Sequence, residues 1–473
     1  MNNQADDLRS AFEAAGQGHV FRWWDELGER SKRRLTRQLE NVNLGRMAEM
    51  SNAMAELKQP KQRTLSPAPA FELSNEKFPY NLADGARAMA PQGEKELRDG
   101  RVGVLLVAGG QGTRLGFDGP KGCYKILPLT GMTLFEVFAR KLQRIGREYG
   151  KTPPLYVMVG NHNEAETRNF WQDHDHFGLN PDDVKFFAQG EMPALDADGR
   201  FVMAGKDALF TGPDGHGGVV QALNDKGMLK DMRERGVRVI SYIQVDNLQV
   251  PVADPAFIGL HLSEGAEVSL KVVRKEDPAE RVGIFCHDEG VPCIVEYTEF
   301  SDEQANERDG NGRLRYWQGS IAVHLFSTDF LMRLVERGMD LPLHAAHKKV
   351  PHIDADGNEV SPTEPNAWKF ERFVFDVIPM ASNVVCLEVP REEQFLPLKN
   401  ADGPFGPDGA RQAYQQYWGS AVEAALGKRP PAIEVDPLVA ENARELIELL
   451  GENKAAKSWD LTKPLHITEQ VLR

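Results

Sequence analysis

Apolar and polar positions follow two different periods along this chain, and the period that holds in each stretch predicts the element there. Leu8, Phe12 and Ala15 fall at helical spacing, as do Val20, Trp24 and Leu27, then Leu35 and Leu39, so residues 3–58 read as helices. Residues 58–70, KQPKQRTLSPAPA, carry three prolines and no apolar period, which predicts a linker or an extended crossing. From about residue 99 to 390, short apolar runs alternate with amphipathic stretches. Strands are expected at 102–108, 155–160, 184–189, 237–245, 267–273, 283–286 and 293–297. Helices are expected at 133–150, capped by Thr133 and stopped by Gly150, and at 218–236. Short buried strands alternating with helices imply an α/β domain around a mostly parallel sheet. Beyond residue 391 the pattern is helical again, at 412–426 and 437–451, and a smaller C-terminal module is the simplest description. The expected organisation is a helical N-terminal region (1–98), a central α/β domain (99–390) and a C-terminal domain (391–473).

The stretch 102–121, VGVLLVAGGQGTRLGFDGPK, departs from both periods and organises the rest. Its first residues form a continuous apolar run, as in a parallel strand buried on both faces. Gly109, Gly110, Gly112 and Gly116 follow, and glycine lets main-chain N–H groups approach and line a phosphate pocket. Arg114 and Lys121 add positive charge to the same loop. Two other phosphate loops fail to match. Starting from Gly110, a G-x-G-x-x-G fingerprint needs glycine where Leu115 stands, and a Walker loop needs Ser or Thr after the Lys, whereas Cys123 and Tyr124 follow Gly122. Ligands in parallel sheets sit at the carboxyl ends of strands, where this loop begins.

Composition narrows the partners. A net charge of −14 argues against broad nucleic-acid binding, although a small anion responds to charges within a Debye length of about 8 Å. An acidic protein that binds a nucleotide must therefore gather its Lys and Arg locally and bring a metal ion. The N-terminus is polar and no apolar run approaches eighteen residues, so neither a signal peptide nor a membrane span is expected, and the expected compartment is cytoplasmic. Cys123, Cys286, Cys293 and Cys386 lack C-x-x-C spacing and read as reduced thiols. His344, His347 and His352 have no acid at a ligand spacing, so no zinc site is expected, and His174–Asp175–His176 reads as a polar loop.

Two further stretches invite chemistry. Asp246 follows the apolar run VISYIQV, placed to hold Mg²⁺, which takes one or two carboxylates together with phosphate oxygens. Asp254, ahead of Pro255, reads as a turn residue. PDGHGGVVQAL (213–223) is a second glycine turn entering a helix, where Gly215 or Gly217 has no side chain to keep a base away.

LLVAGGQGTRLGFDGPKG resembles the signature of the eukaryotic-type UDP-sugar pyrophosphorylases, L-x-x-G-G-x-G-T-R-L-G followed by P-K, and most closely that of the UDP-N-acetylhexosamine pyrophosphorylases. The resemblance extends over roughly residues 8–405, including AAGQGHVFRWWDEL near the N-terminus. It implies a Rossmann-like nucleotidyltransferase domain and the reaction UTP + sugar 1-phosphate ⇌ UDP-sugar + pyrophosphate, with Mg²⁺ as cofactor. Charge and hydropathy already argue against a nucleic-acid or membrane partner, and a monomer or weak homo-oligomer is expected. By residue, the resemblance assigns Ala108, Gly109, Gly110, Gly112, Gly215 and Lys369 to the nucleotide, and Gln189 in FFAQGEMPA to the uracil edge, where an amide supplies both donor and acceptor. Asp246 falls to the metal, and Arg114, Lys121 and Lys399 to the reacting phosphates. Gly283, Glu296 in VEYTEF, His216 and Ser320 fall to the sugar.

Two departures bear on the substrate. The hexosamine members usually carry Asn where this chain has His216, and Asn where it has Ser320. N-acetylglucosamine 1-phosphate is the expected substrate, with glucose or galactose 1-phosphate as alternatives. A nucleotide-sugar sensor without turnover is the reading from another class.

Overall fold

The structure is a computed structural model that describes residues 2–56, 63–73, 88–339 and 341–472. Its contacts divide the chain into two compact units. The smaller comprises Met1–Gln62, Gln189–Val220 and Asp340–Asp376; the larger comprises Arg63–Ala188, Gln221–Met339 and Val377–Arg473.

The larger unit is built on a mixed sheet with ten strands among the described residues. In chain order these are β1 (Leu65–Pro67), β2 (Val102–Val107), β3 (Leu155–Val159), β4 (Val184–Ala188), β5 (Val239–Gln244), β6 (Val268–Arg274), β7 (Ile284–Asp288), β8 (Val291–Val295), β9 (Gln318–Ser327) and β10 (Val384–Glu388). The order along the sheet is β1–β7–β9–β5–β2–β3–β4, with β6 beside β9 and β10, and β8 beside β7. The block β5–β2–β3–β4 is parallel. Helices cover it: Leu134–Tyr149 between β2 and β3, Glu164–Asp173 between β3 and β4. This explains the unbroken apolar reading of β2 and β3, whose residues are buried apart from the half-buried Val107 at the rim. Each Val or Leu so buried contributes about 1.5–3 kcal/mol relative to exposure. The helix at 134–149 starts and stops as its sequence predicts. Thr133 Oγ1 accepts from Glu136 N, and Gly150 takes φ +81°.

Around β9 the sheet turns antiparallel, pairing with β5, β6 and β7. The ladder shifts register at Lys271/Val272, opposite Ile321 and Ala322, and Ala322 has φ +56°. That is a bulge with a strained non-glycine residue.

The smaller unit gathers helices Asn2–Ala14, Glu29–Glu40 and Met47–Glu56 around two-stranded pieces, one of them His344–Lys348 with Ala367–Glu371. Phe12, Val20, Phe21, Trp23, Leu35 and Leu39 bury against Leu195, Phe201, Leu343 and Phe370. Buried Gln17 joins the segments, donating to Gly199 O (2.9 Å) and accepting from Phe201 N (2.9 Å).

Three expectations need correction. The helix expected at 218–236 is two, Val219–Asp225 and Met228–Glu234, because Gly227 sits between them at φ +74°. The helix expected at 437–451 begins only at Ala443, where Asn442 accepts from Glu445 N. The helical spacing read through Val20 and Leu27 belongs to short 3₁₀ turns, Gly18–Phe21 and Trp24–Glu26. The extended crossing at 58–70 includes β1; its residues 58–62 lie outside the described residues. The polar loop His174–Asp175–His176 also packs: Asp175, His176 and Phe177 take positive φ in succession, the His174 ring lies on Phe170, and the His176 and Phe177 rings lie on Trp171.

Candidate active site

In the larger unit the glycine-rich loop leaves the carboxyl end of β2, directly beside the loop that leaves β5. Val245 N still donates to Val107 O (3.0 Å), so the adjacent parallel strands deliver Ala108 and Asp246 to the same edge. The loop then folds on itself through Gly112 N to Gly119 O (2.9 Å), Phe117 N to Gly112 O (3.1 Å) and Lys121 N to Gly110 O (3.0 Å). A Cβ on Gly112 would stand 2.6 Å from the Phe117 ring, so only glycine closes this turn. The amides of Gly109, Gly110 and Gln111 find no acceptor among the described residues. Unpaired donors in succession at a strand end form a cradle for an anion. Arg114 projects from the loop as an exposed cation.

Lys121 and Asp246 come together. Lys121 Nζ lies 3.7 Å from Asp246 Oδ2 and 3.3 Å from Leu398 O. Leu398 N donates to Asp246 O (2.8 Å), which brings Lys399, the next residue, to the same place. Asp246 stays partly open while Val245 and residues 247–250 are buried. The loop beyond it is pinned from beneath: buried Lys141 donates to Leu248 O (3.0 Å) and Val250 O (2.8 Å). Burial holds that ammonium's pKa down to about 8. Asn247 Nδ2 donates to Gln394 O (2.8 Å), and Asn247 Oδ1 accepts from Leu396 N (2.9 Å). Asp254 has the structural part expected of it: it caps Pro255–Ser263 through Ala256 N (3.0 Å) and pairs with fully buried Lys271 (2.7 Å). A partly open carboxylate beside Lys121 suits Mg²⁺ shared with ligand phosphates rather than an all-protein cage. Among the described residues no cluster of three or more His, Cys, Asp or Glu exists that could hold a metal alone.

Three of the sugar candidates are neighbours in the same unit. Ser320 N donates to Gly283 O (2.8 Å), and a Cβ on Gly283 would lie 3.3 Å from Glu296 Oε1. Glu296 also caps the turn Tyr297–Glu299 in a reciprocal pair with Glu299. The bulge at Ile321–Ala322 turns the strand just beyond Ser320.

In the smaller unit, Gln189 is buried at the entry to the segment 189–220. Gly190 O accepts from Asp214 N (3.1 Å), and Arg372 N donates to Asp214 O (2.8 Å). Gly217 N donates back to Arg372 O (2.8 Å). A Cβ on Gly215 would meet Arg372 O at 2.4 Å, and one on Gly217 would meet Phe373 N at 2.6 Å. The missing side chains thus admit the 372–373 backbone, a packing reason the sequence does not display. His216 Nδ1 accepts from Val374 N (3.1 Å), which leaves the proton on Nε2, and its ring stacks on Phe373. Lys369, on the strand Ala367–Glu371, places Nζ 4.7 Å from the Phe210 ring centroid, and burial lowers its pKa. The three histidines serve separate contacts: His344 with Asp376 (2.8 Å), His347 stacked on Trp368, and His352 with Val350 O (3.2 Å).

Sequence reasoning missed two residues. Buried Asn163 accepts from Gly160 N (2.9 Å) and donates to Gly109 O (3.2 Å), fixing the first glycine of the loop. Its only signal is an Asn just after a buried strand. Asp214 is buried with Oδ1 lacking a partner among the described residues, and desolvation raises its pKa to about 7. Its signal, a Pro-Asp-Gly turn, is common to many loops.

Known proteins carry the same pattern. Residues 58–406 match the family model described as UTP–glucose-1-phosphate uridylyltransferase. The UDP-N-acetylhexosamine pyrophosphorylase-like protein 1 of Xenopus tropicalis is 38% identical over 473 aligned residues, covering 92% of each chain. The UDP-N-acetylglucosamine pyrophosphorylase of Saccharomyces cerevisiae is 34% identical, covering 94% of this chain and 97% of its own. Among solved structures, the uridine diphosphate N-acetylglucosamine pyrophosphorylase of Trypanosoma brucei, in complex with inhibitor, superposes with a TM-score of 0.81 at 27% identity, over 99% of this chain and 98% of that one. Among the described residues no helix is long and apolar enough to cross a membrane. With the glycine loop, its lysine and the strand-end aspartate in place, the chain belongs to the UTP–glucose-1-phosphate uridylyltransferase family, the UDP-sugar pyrophosphorylases.

Proposed function

We propose that this enzyme forms UDP-N-acetylglucosamine and pyrophosphate from UTP and N-acetylglucosamine 1-phosphate. The observation that carries this is the meeting of Lys121, Asp246 and the Leu398–Lys399 backbone beside the open amides of Gly109–Gln111. In this reading the loop amides, Arg114 and Lys121 hold the β- and γ-phosphates and the departing pyrophosphate. Lys399 and Lys369 offset charge on the sugar phosphate and the α-phosphate. Gln189 reads the uracil edge; Gly283, Glu296, His216 and Ser320 orient the sugar. Asp246 would hold Mg²⁺, which supplies charge neutralisation to the phosphates when bound. The sugar-phosphate oxygen attacks the α-phosphorus in line with the pyrophosphate, so positioning and charge stabilisation suffice without a covalent enzyme intermediate. Such an enzyme would work in the cytoplasm, as a monomer or weak homo-oligomer.

A second substrate reading rests on His216. With Nδ1 accepting from Val374 N–H, the ring cannot present the paired donor and acceptor of the usual Asn amide. Loss of that amide removes a partner for the N-acetyl group and favours glucose or galactose 1-phosphate. Pyrophosphate release from UTP with N-acetylglucosamine, N-acetylgalactosamine, glucose and galactose 1-phosphates decides. The highest kcat/KM with the first supports the main reading, and the highest with glucose or galactose the second. Tight UTP binding without release in any pairing would leave a sensor and overturn both.

A further inference from the structure

Two cysteines face each other across the β7–β8 hairpin. Its two-residue turn, Glu289–Gly290, has φ of +52° and +85°, the conformation of a tight hairpin turn. The turn sets the register: Asp288 opposite Val291, His287 opposite Pro292, Cys286 opposite Cys293. Pro292 has no N–H and falls on a pair without ladder hydrogen bonds; alternation then puts Cys286 and Cys293 on a hydrogen-bonded pair. Residues directly opposite share one face of the sheet, and at such pairs the Cα atoms stand about 5.5 Å apart. A disulfide spans Cα separations of about 4.4–6.8 Å. Both thiols are free, and they pack in one apolar cluster with Val282, Ile284, Val295 and Tyr316. Cys286 is fully buried while Cys293 is half-buried, so of the two residues Cys293 is the nearer to solvent. Neither has a part in the proposed uridylyl transfer.

We propose that Cys286 and Cys293 form a dithiol–disulfide couple oxidised by hydroperoxides, with Cys293 attacking and Cys286 resolving. The Cys293 thiolate attacks a peroxide oxygen; an S–O bond forms, the O–O bond breaks, and the departing oxygen takes a proton and leaves as water or an alcohol. The Cys286 sulfur then attacks the Cys293 sulfenic acid. The S–S bond forms, the S–O bond breaks, and hydroxide leaves with the Cys286 proton as water. Two electrons pass from the two thiols to the peroxide. The surroundings suit these roles. The hydrogen bond from the Cys286 thiol, and then the Arg63 guanidinium, favour the Cys293 thiolate against its burial and the opposing Asp288 carboxylate. Arg63 is itself held by Asp288 (2.9 Å) and by Glu299. Cys123 makes a contrast, because burial pushes its thiol up to about 12.

The test uses the full chain treated with a small excess of hydrogen peroxide, denatured and alkylated without reductant. Two of the four thiols should disappear and return on adding dithiothreitol. Proteolytic cleavage after Asp288 or Glu289, which lie between the two cysteines, should give fragments joined only through Cys286 and Cys293. In Cys286→Ser the sulfenic acid on Cys293 should be trapped by dimedone at several times the wild-type yield. Four surviving thiols, a link through Cys123 or Cys386, or over-oxidised Cys293 without a link would each overturn the proposal. The wild-type map decides even if the variant does not fold, and it is independent of the uridylyltransferase reading.

Discussion

The two units contribute candidate residues in different ways. In the larger unit, the loop at Gly109–Lys121 and Asp246 hang from neighbouring parallel strands whose registers bring them to one edge. Most of their geometry follows from strand pairing and is supported from beneath by Lys141 and Asn247. In the smaller unit, Gln189, Gly215, His216 and Lys369 sit on short strands and turns drawn from two stretches more than a hundred residues apart. There the backbone exchange between Asp214, Gly217 and Arg372 does the positioning. The phosphate-side candidates thus hang from paired parallel strands, the base candidate Gln189 and the sugar candidate His216 from short strands and turns, and the sugar candidates Gly283, Glu296 and Ser320 from the antiparallel part of the larger unit's sheet. The two positions where the usual Asn is replaced fall one in each unit, His216 in a turn and Ser320 beside the bulge in the sheet.

That comparison can be broken most directly at the strand ends. Asp246→Ala and Arg114→Ala should each lower kcat by about 10²–10³ with folding intact, read as pyrophosphate release beside an unchanged circular dichroism spectrum. Near-normal turnover in either would remove the phosphate half of the assignment. In the smaller unit, Gly215→Ala forces a left-handed residue and a Cβ against Arg372 O. We expect destabilisation of about 1–3 kcal/mol in denaturant titration, with the KM for UTP raised more than kcat falls. The sugar side is subtler. Restoring the amides as His216→Asn with Ser320→Asn should shift kcat/KM toward N-acetylated sugar phosphates by about 2–10-fold, the value of one net hydrogen bond. No shift, or a shift toward glucose 1-phosphate, would dissociate these positions from the sugar.

The smallest effect expected is on stability. Asp214 has its pKa raised from 3.8 to about 7 by burial, so between those values the folded state binds the extra proton. Its contribution is therefore present at low pH and is lost as pH rises through about 7. Asp214→Asn should raise the Tm at pH 8 by about 1–3 °C and leave it unchanged at pH 4. Equal Tm differences at both values would show that the proton is not involved.

Much of the larger unit was legible because its signals are local. The apolar run of β2, the glycines after it and the acid after β5 lie within short windows, and their meaning depends on pairing that parallel strands supply. The parts that were not legible depend on distant backbone. Gly217 looks like room for a ligand until Phe373 is seen to fill it. Gly227 breaks a helix that its apolar period would continue. Strand β9 has a polar start and a bulge, so no unbroken alternation marks it. Asn163 acts through one carbonyl across a strand end, and no spacing rule describes that.

The carboxyl-terminal residues hold one more consequence. Buried Glu434 accepts from Leu129 N (2.7 Å), Thr130 N (2.9 Å) and Thr130 Oγ1 (2.6 Å), and Glu441 accepts from Val252 N (3.2 Å) in the loop that follows Asp246. A nascent chain that has emerged only as far as residue 400 holds every phosphate-side residue named here, yet several of its amides still await their carboxylates. A chain cut at residue 400 would thus keep its full phosphate-side inventory and lose the carboxylates that hold residues 129–130 and 252.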